Sequence, residues 1–339
     1  MYKKTGLERN RQLIRLAALL HDVGHPPFSH AAEDILPKNP DTKKPYKHED
    51  YTVAIIEKYF KDVIENHPLN SNYKITAKEV SALIEGNPQE LKENIFWRVI
   101  ISSQLDADRG DYLLRDSLHI GVKYGLYDLE RLLITFSIGI DPEENEIILG
   151  VKEGGWYVAE SLIISRYQMF TQVYFHKVRR AYDYILKEAI KTSLGVLSSP
   201  QEIEKFVELD DYILWNIMKE KNTQWFNYLK NREHLREIFS TNDIPTPKDE
   251  KKLEDIMRIL KENNIWFWED TAEQSWYQFA SKESGKGESM IVKKDKKALP
   301  LSLYSKIVKN MGEVKKIRVY VKFKDRKKAK ELIKGGGIK

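Results

Sequence analysis

Apolar residues in the first part of the chain recur at helical spacing. Leu13, Leu16, Ala17 and Leu20 fall at i, i+3, i+4 and i+7, which predicts an amphipathic helix ending near residue 20. Residues 1–8 are polar and are expected to fray. Gly24 and Pro26 stop this helix, and Pro27 can open a second one over residues 28–36. Residues 37–46 form a loop rich in Pro and Lys. His48-Glu49-Asp50 then opens a third helix with its acidic residues at the positive dipole end. Residues 51–100 read as helices broken at Pro68 and Pro88. A helix over residues 102–116 puts Leu105, Asp108, Tyr112, Arg115 and Asp116 on one face. A hairpin around residues 141–155 follows. One long helix over residues 157–192 then carries Arg166, Phe170, Tyr174 and Lys177 as a stripe, which spacing alone reads as an aromatic core row with a snorkelling Arg.

The pattern changes after Ser198-Ser199-Pro200. Residues 201–240 predict two helices with exposed charges, residues 241–249 a linker, and residues 251–263 a further helix. Short apolar runs at 265–268, 290–292 and 317–321 predict strands, and a basic helix ends the chain. Together they suggest a small α+β lobe. The chain is therefore expected to be mainly α, with a helical domain over residues 1–197 and a C-terminal helical and α+β region over residues 198–339. Trp266, Trp268 and Trp276 read as that lobe's apolar filling.

Composition narrows the chemistry. With 339 residues, one large domain or two smaller ones can bury a substantial core. The 56 basic and 51 acidic residues give a net charge of +5. Lys315-Lys316 and the basic run over 324–330 fit solvation better than a nucleic-acid site, so nucleic acid is compatible but not indicated. There is no cysteine, which removes disulfides and thiolate metal sites and leaves His and carboxylate as metal donors. No apolar run reaches 18 residues and no signal peptide is evident, so no membrane partner is expected and a cytoplasmic location is.

The donors cluster in one place. His21, Asp22, His25 and His30 offer three imidazoles and a carboxylate around a turn, a donor set that suits Mn, Fe, Zn or, less well, Mg. Two capping histidines and a carboxylate at a helix end would give the same pattern without a metal. His30 and Glu33 stand at i, i+3 and can hydrogen-bond, either as a surface contact or as a proton-transfer pair. His67, His176 and His234 read as loop or structural residues.

The string Leu20-His21-Asp22-Val23-Gly24-His25-Pro26-Pro27-Phe28-Ser29-His30 resembles the signature of the HD-domain phosphohydrolases, in the branch that includes deoxynucleoside triphosphate triphosphohydrolases. Asp106 through Asp116 is similar to that family's distal Asp motif, and Ser165 through Lys177 is similar to its phosphate- and sugar-binding segment. The resemblance implies an HD-domain helical core and a divalent metal on His21, Asp22 and Asp108, with Asp106 a bystander. It implies that His30, oriented by Glu33, protonates the leaving 5′ oxygen while His25 and His48 steady the phosphate charge. Arg109 and Arg166 would contact phosphate, and Tyr112, Asp116 and Tyr174 would line the sugar. The expected partners are a deoxynucleoside triphosphate (dNTP) substrate, cleaved to deoxynucleoside and triphosphate, and further copies of the chain. The rivals are a nucleotidase or phosphodiesterase on the same site, or a degenerate HD module that binds nucleotide or RNA without turnover. The family pattern also begins with a metal-binding His in an Arg-Phe-Glu-His-Ser-like segment. No His precedes His21 in this sequence, so a shortened chain or a looser metal site, with poor hydrolysis, is expected.

Overall fold

Helix α1 (Lys4–Leu20) buries Leu13, Ala17 and Leu20 against Val80 and Leu83 of α4 (Ala77–Glu85). The computed structural model describes residues 4–142, 147–274 and 289–336. The helix is already formed at residue 4, so the fraying expected over residues 1–8 is not found in its described part. A capping box starts α4: the Thr76 hydroxyl accepts from the Glu79 amide, and Glu79 accepts from the Thr76 amide. The same Glu79 carboxylate takes Arg9 of α1 at 2.6 Å, which ties the two helices together.

The second helix is shorter than its sequence suggests. Phe28 and Ser29 adopt φ of +63° and +54°, so no helix can run through them, and α2 is a single turn (His30–Glu33). Helix α3 (His48–Ile55) starts where expected, with Asp50 accepting from the Lys47 amide at 2.7 Å. Gly24 holds the intervening turn against α3. A Cβ there would lie 2.2 Å from the Thr52 amide nitrogen, so only glycine permits this approach. The Gly24 amide donates to the Thr52 hydroxyl, and that hydroxyl donates to the His21 carbonyl.

Helix α5 (Ala107–Ile120) starts later than the sequence pattern predicts, because Asp106 is its cap and accepts from the Arg109 amide; Leu105 lies before the helix. After α6 (Leu129–Thr135), β1 (Phe136–Ile140) and β2 (Ile147–Lys152) form the expected antiparallel hairpin. The long helix expected over residues 157–192 is interrupted. Helix α7 (Trp156–Met169) passes into a π-helical turn (Phe170–Tyr174), and α8 (Lys177–Ser193) begins afresh.

Helices α9 (Asp211–Lys221) and α10 (Gln224–Lys230) precede β3 (Arg236–Ser240), a strand where the charge pattern suggested helix. Helix α11 (Pro247–Glu262) starts inside the expected linker, because Thr246 caps it and Pro247 suits its first turn. Strand β4 (Phe267–Gln274) is longer than predicted. Strands β5 (Ser289–Val292) and β6 (Ala298–Pro300) do not join the lobe's sheet: Ile291 pairs in parallel with Val151, giving the order β1-β2-β5-β6. The lobe's own sheet adds β7 (Val314–Val321) in the order β3-β7-β4, all antiparallel. Helix α11 and the basic helix α12 (Arg326–Gly335) bury Leu253, Leu260, Val319, Val321 and Ile333 with this sheet. Trp268 packs between Tyr184 and Tyr320 at ring separations of 4.3 and 5.0 Å, as filling between the sheet and α8; Trp276 lies outside the described residues. Mainly helical structure with a small α+β lobe is what the sequence predicts. Among the described residues, no helix is long and apolar enough to cross a membrane.

Candidate functional site

The end of α1, the turn pinned by Gly24, and the start of α3 bring four imidazoles around two carboxylates. Asp22 Oδ1 is approached by the Nε2 atoms of His21, His25 and His48 at 3.2, 3.6 and 3.8 Å. Glu33 Oε1 is approached by the Nδ1 atoms of His48, His30 and His25 at 2.9, 3.1 and 3.3 Å. His25 and His48 therefore bridge the two carboxylates, with their rings stacked at 4.0 Å. Contacts with His25, then His30 and His48, hold the Glu33 carboxyl far below its ordinary range. His30 is raised, first by its bond to Glu33. Burial opposes the charge on His48, but Glu33, Glu49 and Asp22 together still raise it.

Asp108 enters from the first turn of α5, with Oδ1 3.6 Å from His21 Nε2. His21 Nδ1 lies 2.9 Å from the Ala18 carbonyl and donates to it, which leaves Nε2 as the ring atom that can take either a proton or a metal. That Nε2 is buried without a hydrogen-bond donor and faces two carboxylate oxygens. Asp108, opposed by burial and reinforced by Asp22, pushes the His21 pKa up to about 9, and a bound cation would displace the Nε2 proton held this way and use its lone pair. A nitrogen lone pair converging with two carboxylates fits a divalent cation, and the ligand atoms of His21, Asp22 and Asp108 all lie within 4.8 Å of one another. Asp22-His25-His48 and His25-His30-Glu33 also converge closely enough to hold an ion.

A cavity of about 1200 Å³ opens beside this cluster and includes Asp22, His30 and Asp108 in its wall. Tyr112 and Asp116 line it one and two turns further along α5. Tyr174 faces them from the π turn, and its hydroxyl donates to Asp116 Oδ2 at 2.5 Å. Burial, then Asp116, pushes the Tyr174 hydroxyl pKa up.

Residues 1–114 match the HD domain family, and residues 128–334 match the HD-associated region. The chain belongs to the HD superfamily, in its SAMHD1-like branch. This HD protein is 39% identical to the uncharacterized protein YwfO of Bacillus subtilis over 186 residues, 54% of this chain and 37% of that one. It is 28% identical over 240 residues to the deoxynucleoside triphosphate triphosphohydrolase SAMHD1 homolog of Dictyostelium discoideum, covering 69% of this chain and 44% of that protein. The HD protein thus spans less than half the length of either relative. A crystal structure of a hypothetical protein from Aquifex aeolicus shares its fold with a TM-score of 0.75 and 27% identity, covering 95% of this chain and 80% of that one.

The HD protein brings together His21, Asp22, His25, His30, Glu33, His48 and Asp108 at one end of the site and Tyr112, Asp116 and Tyr174 further along. Arg109 and Arg166 lie beside the wall residue Tyr112, which feels both charges and shares a side-chain hydrogen bond with Arg166. Arg109 is engaged by Asp106 and the Ser103 carbonyl. Arg166 is buried, lies over the Phe170 ring at 5.6 Å and is held below its ordinary pKa, chiefly by that burial. The cations that do line the wall are Arg179, Arg180 and Lys187 of α8, which sequence reasoning missed. With His176, Asp183 and Tyr184 they fall at offsets of 3, 4, 7, 8 and 11, a helical face legible in the sequence once α8 is known to start at Lys177.

Proposed function

We propose that this HD protein is a metal-dependent phosphohydrolase that cleaves deoxynucleoside triphosphates to deoxynucleoside and triphosphate. The observation that carries this reading is a single cavity. Its wall joins the His/Asp cluster and His30 to the Tyr112, Asp116 and Tyr174 surface, at the scale of a nucleotide. His21, Asp22 and Asp108 would hold the divalent metal, which when bound supplies Lewis-acid polarisation of a phosphate oxygen and an acidified water. His30, kept charged by Glu33, holds a ring proton for the leaving 5′ oxygen. His25 and His48 are fixed in place by Glu33 and turn their Nε2 edges toward Asp22, where developing phosphate charge would lie. At the other end, Asp116 is an acceptor for a sugar hydroxyl. The rings of Tyr112 and Tyr174, 6.4 Å apart, narrow the space for a 2′-hydroxyl.

One observation favours a second reading. Arg109, one of the two forks expected for the tail of a triphosphate, is already engaged by Asp106 and the Ser103 carbonyl, and a nucleotidase or phosphodiesterase would not need it. A product assay on dGTP and GTP with Mn²⁺ and with Mg²⁺ separates the two. The expected result is inorganic triphosphate and deoxyguanosine, with dGTP preferred roughly tenfold or more, since an unpaired buried hydroxyl costs about 1–3 kcal/mol. Orthophosphate or pyrophosphate as product, or equal rates on the two sugars, would remove the triphosphohydrolase reading.

A further inference from the structure

The interruption between α7 and α8 exposes backbone carbonyls that a continuous helix would have satisfied within itself. The Phe175 amide reaches back to the Phe170 carbonyl at 2.7 Å to close the π turn, and α8 restarts two residues later. Three side chains take the carbonyls around this break. Arg179 donates from Nη1 to the Tyr174 carbonyl at 2.7 Å. Arg318 donates from Nη2 to the Phe175 carbonyl at 2.7 Å, and the Tyr320 hydroxyl donates to the Lys177 carbonyl at 3.0 Å. Arg318 and Tyr320 both stand on β7 of the C-terminal lobe, 143 positions along the chain from their acceptors.

Arg318 is itself held on the lobe side. It is buried, with Nε 3.2 Å from Glu237 of β3 and Nη1 3.8 Å from Asp270 of β4, its cross-strand partner. Asp270 is buried too, and it takes the guanidinium of Arg180, in the first turn of α8. Buried ion clusters of this kind are weak evidence for stability, because desolvation offsets most of their attraction, but they fix register where two elements meet. Here the register is that of the sheet against the break. Tyr174 is the last residue of the π turn and the one that reaches Asp116 across the cavity, so whatever holds the break holds Tyr174.

We propose that the C-terminal lobe determines sugar selectivity by positioning Tyr174. Arg318 and Tyr320 act on the helix break as positioning residues, and neither is among the residues lining the cavity. The lobe is therefore part of the specificity apparatus, and undocking it loosens the sugar end while leaving the His/Asp cluster intact. The kinetic consequence rests on the nucleotide reading above; the structural consequence does not.

The test uses the full chain and the variant Arg318→Lys, which keeps a cation near Asp270 and Glu237 but gives up the fork that also reaches Phe175. Tyr320→Phe removes a single hydroxyl from a ring of the same shape and serves where the Lys variant folds poorly. Three measurements are compared with wild type: amide hydrogen exchange, steady-state rates on dGTP and GTP, and turnover of bis(p-nitrophenyl) phosphate with Mn²⁺. The expected result is exchange about tenfold faster over residues 170–178, with β4 and β7 amides as protected as before. KM for dGTP should rise about five- to tenfold with kcat nearly constant, the dGTP-over-GTP ratio should fall, and the small diester should be turned over as before. Unchanged exchange over residues 170–178 would overturn the proposal, as would dGTP and diester rates falling in proportion. If wild type turns over the diester but no nucleotide, the nucleotide reading fails on its own. Exchange then still decides whether the lobe holds the break.

Discussion

The two ends of the cavity are built by different means. At the His/Asp end, His21 through His48 come from one short stretch of chain folded around Gly24, and a single residue, Asp108, is added from α5. At the end proposed for the sugar, Asp116 comes from α5 and Tyr174 from the π turn, while β7 holds the break from a separate lobe. The first end is stiff because every imidazole there has a carboxylate within 4 Å and the turn has no room for a side chain. The second depends on long-range docking. Chemistry common to many phosphoesters can reside in the first, and selectivity can be adjusted in the second without disturbing it.

The largest effect expected from this contrast is at Asp108, the one His/Asp-end residue that arrives from elsewhere. Asp108→Ala should leave purified protein substoichiometric in divalent metal. It should cost more activity than the roughly 10–100-fold typical of outer-shell partners, because a ligand and not its support is removed. Asp106→Ala should retain metal, since Asp106 caps α5 and binds Arg109. Its cost should appear as thermal stability, about 1 kcal/mol for the cap alone. Elemental analysis of the two variants decides the matter: equal metal contents would break the assignment of Asp108.

A smaller effect, and one with a pH signature, is expected at Glu33. Its carboxyl is depressed by His25 first, then by His30 and His48. A depressed carboxyl stabilises the fold above its ordinary titration range, and that contribution is lost as pH falls through the folded value. Glu33→Gln should therefore be less stable than wild type at neutral pH, by about 1–3 kcal/mol for hydrogen bonds to a charged group. The gap should narrow as pH falls below the usual Glu value of about 4.3. Urea unfolding of metal-free protein at several pH values measures it, and a gap that does not change with pH would show that Glu33 does not carry the charge assigned to it.

The same contrast explains what the sequence made legible. The His/Asp turn, the i, i+3 pairing of His30 with Glu33 and the cap of α3 are local features, so the residues that cause them lie beside the residues they place. Even there, the left-handed Phe28 and Ser29 were invisible, because neither residue type announces a positive φ and Pro27 offers an ordinary helix start. The break after Tyr174 was beyond local reading. Residues 157–192 contain no Gly or Pro, and two of the three side chains that donate to carbonyls at the break stand on β7. The wall cations of α8 carried a clear period, yet a charged helical face reads first as solvated surface. Arg166 is the reverse case. Spacing alone reads it as an Arg on a core stripe, and it is buried between Phe170 and Tyr112.

The smallest effect distinguishes the ring of Tyr174 from its hydroxyl. Tyr174→Phe removes the bond to Asp116 but keeps the ring that, with Tyr112, narrows the cavity. Water can replace the lost donor to Asp116, so the cost to stability should stay at ~0.5–1.5 kcal/mol. If steric exclusion by the ring sets sugar selectivity, Tyr174→Phe should leave the dGTP-over-GTP ratio within about twofold of wild type. Tyr174→Ala should bring it towards one, because the ring is the larger apolar and steric element. A Phe variant as unselective as the Ala variant would assign selectivity to the hydroxyl's hold on Asp116. The sugar end would then resemble the His/Asp end, a site fixed by a charged hydrogen bond and not by the packing of a docked lobe.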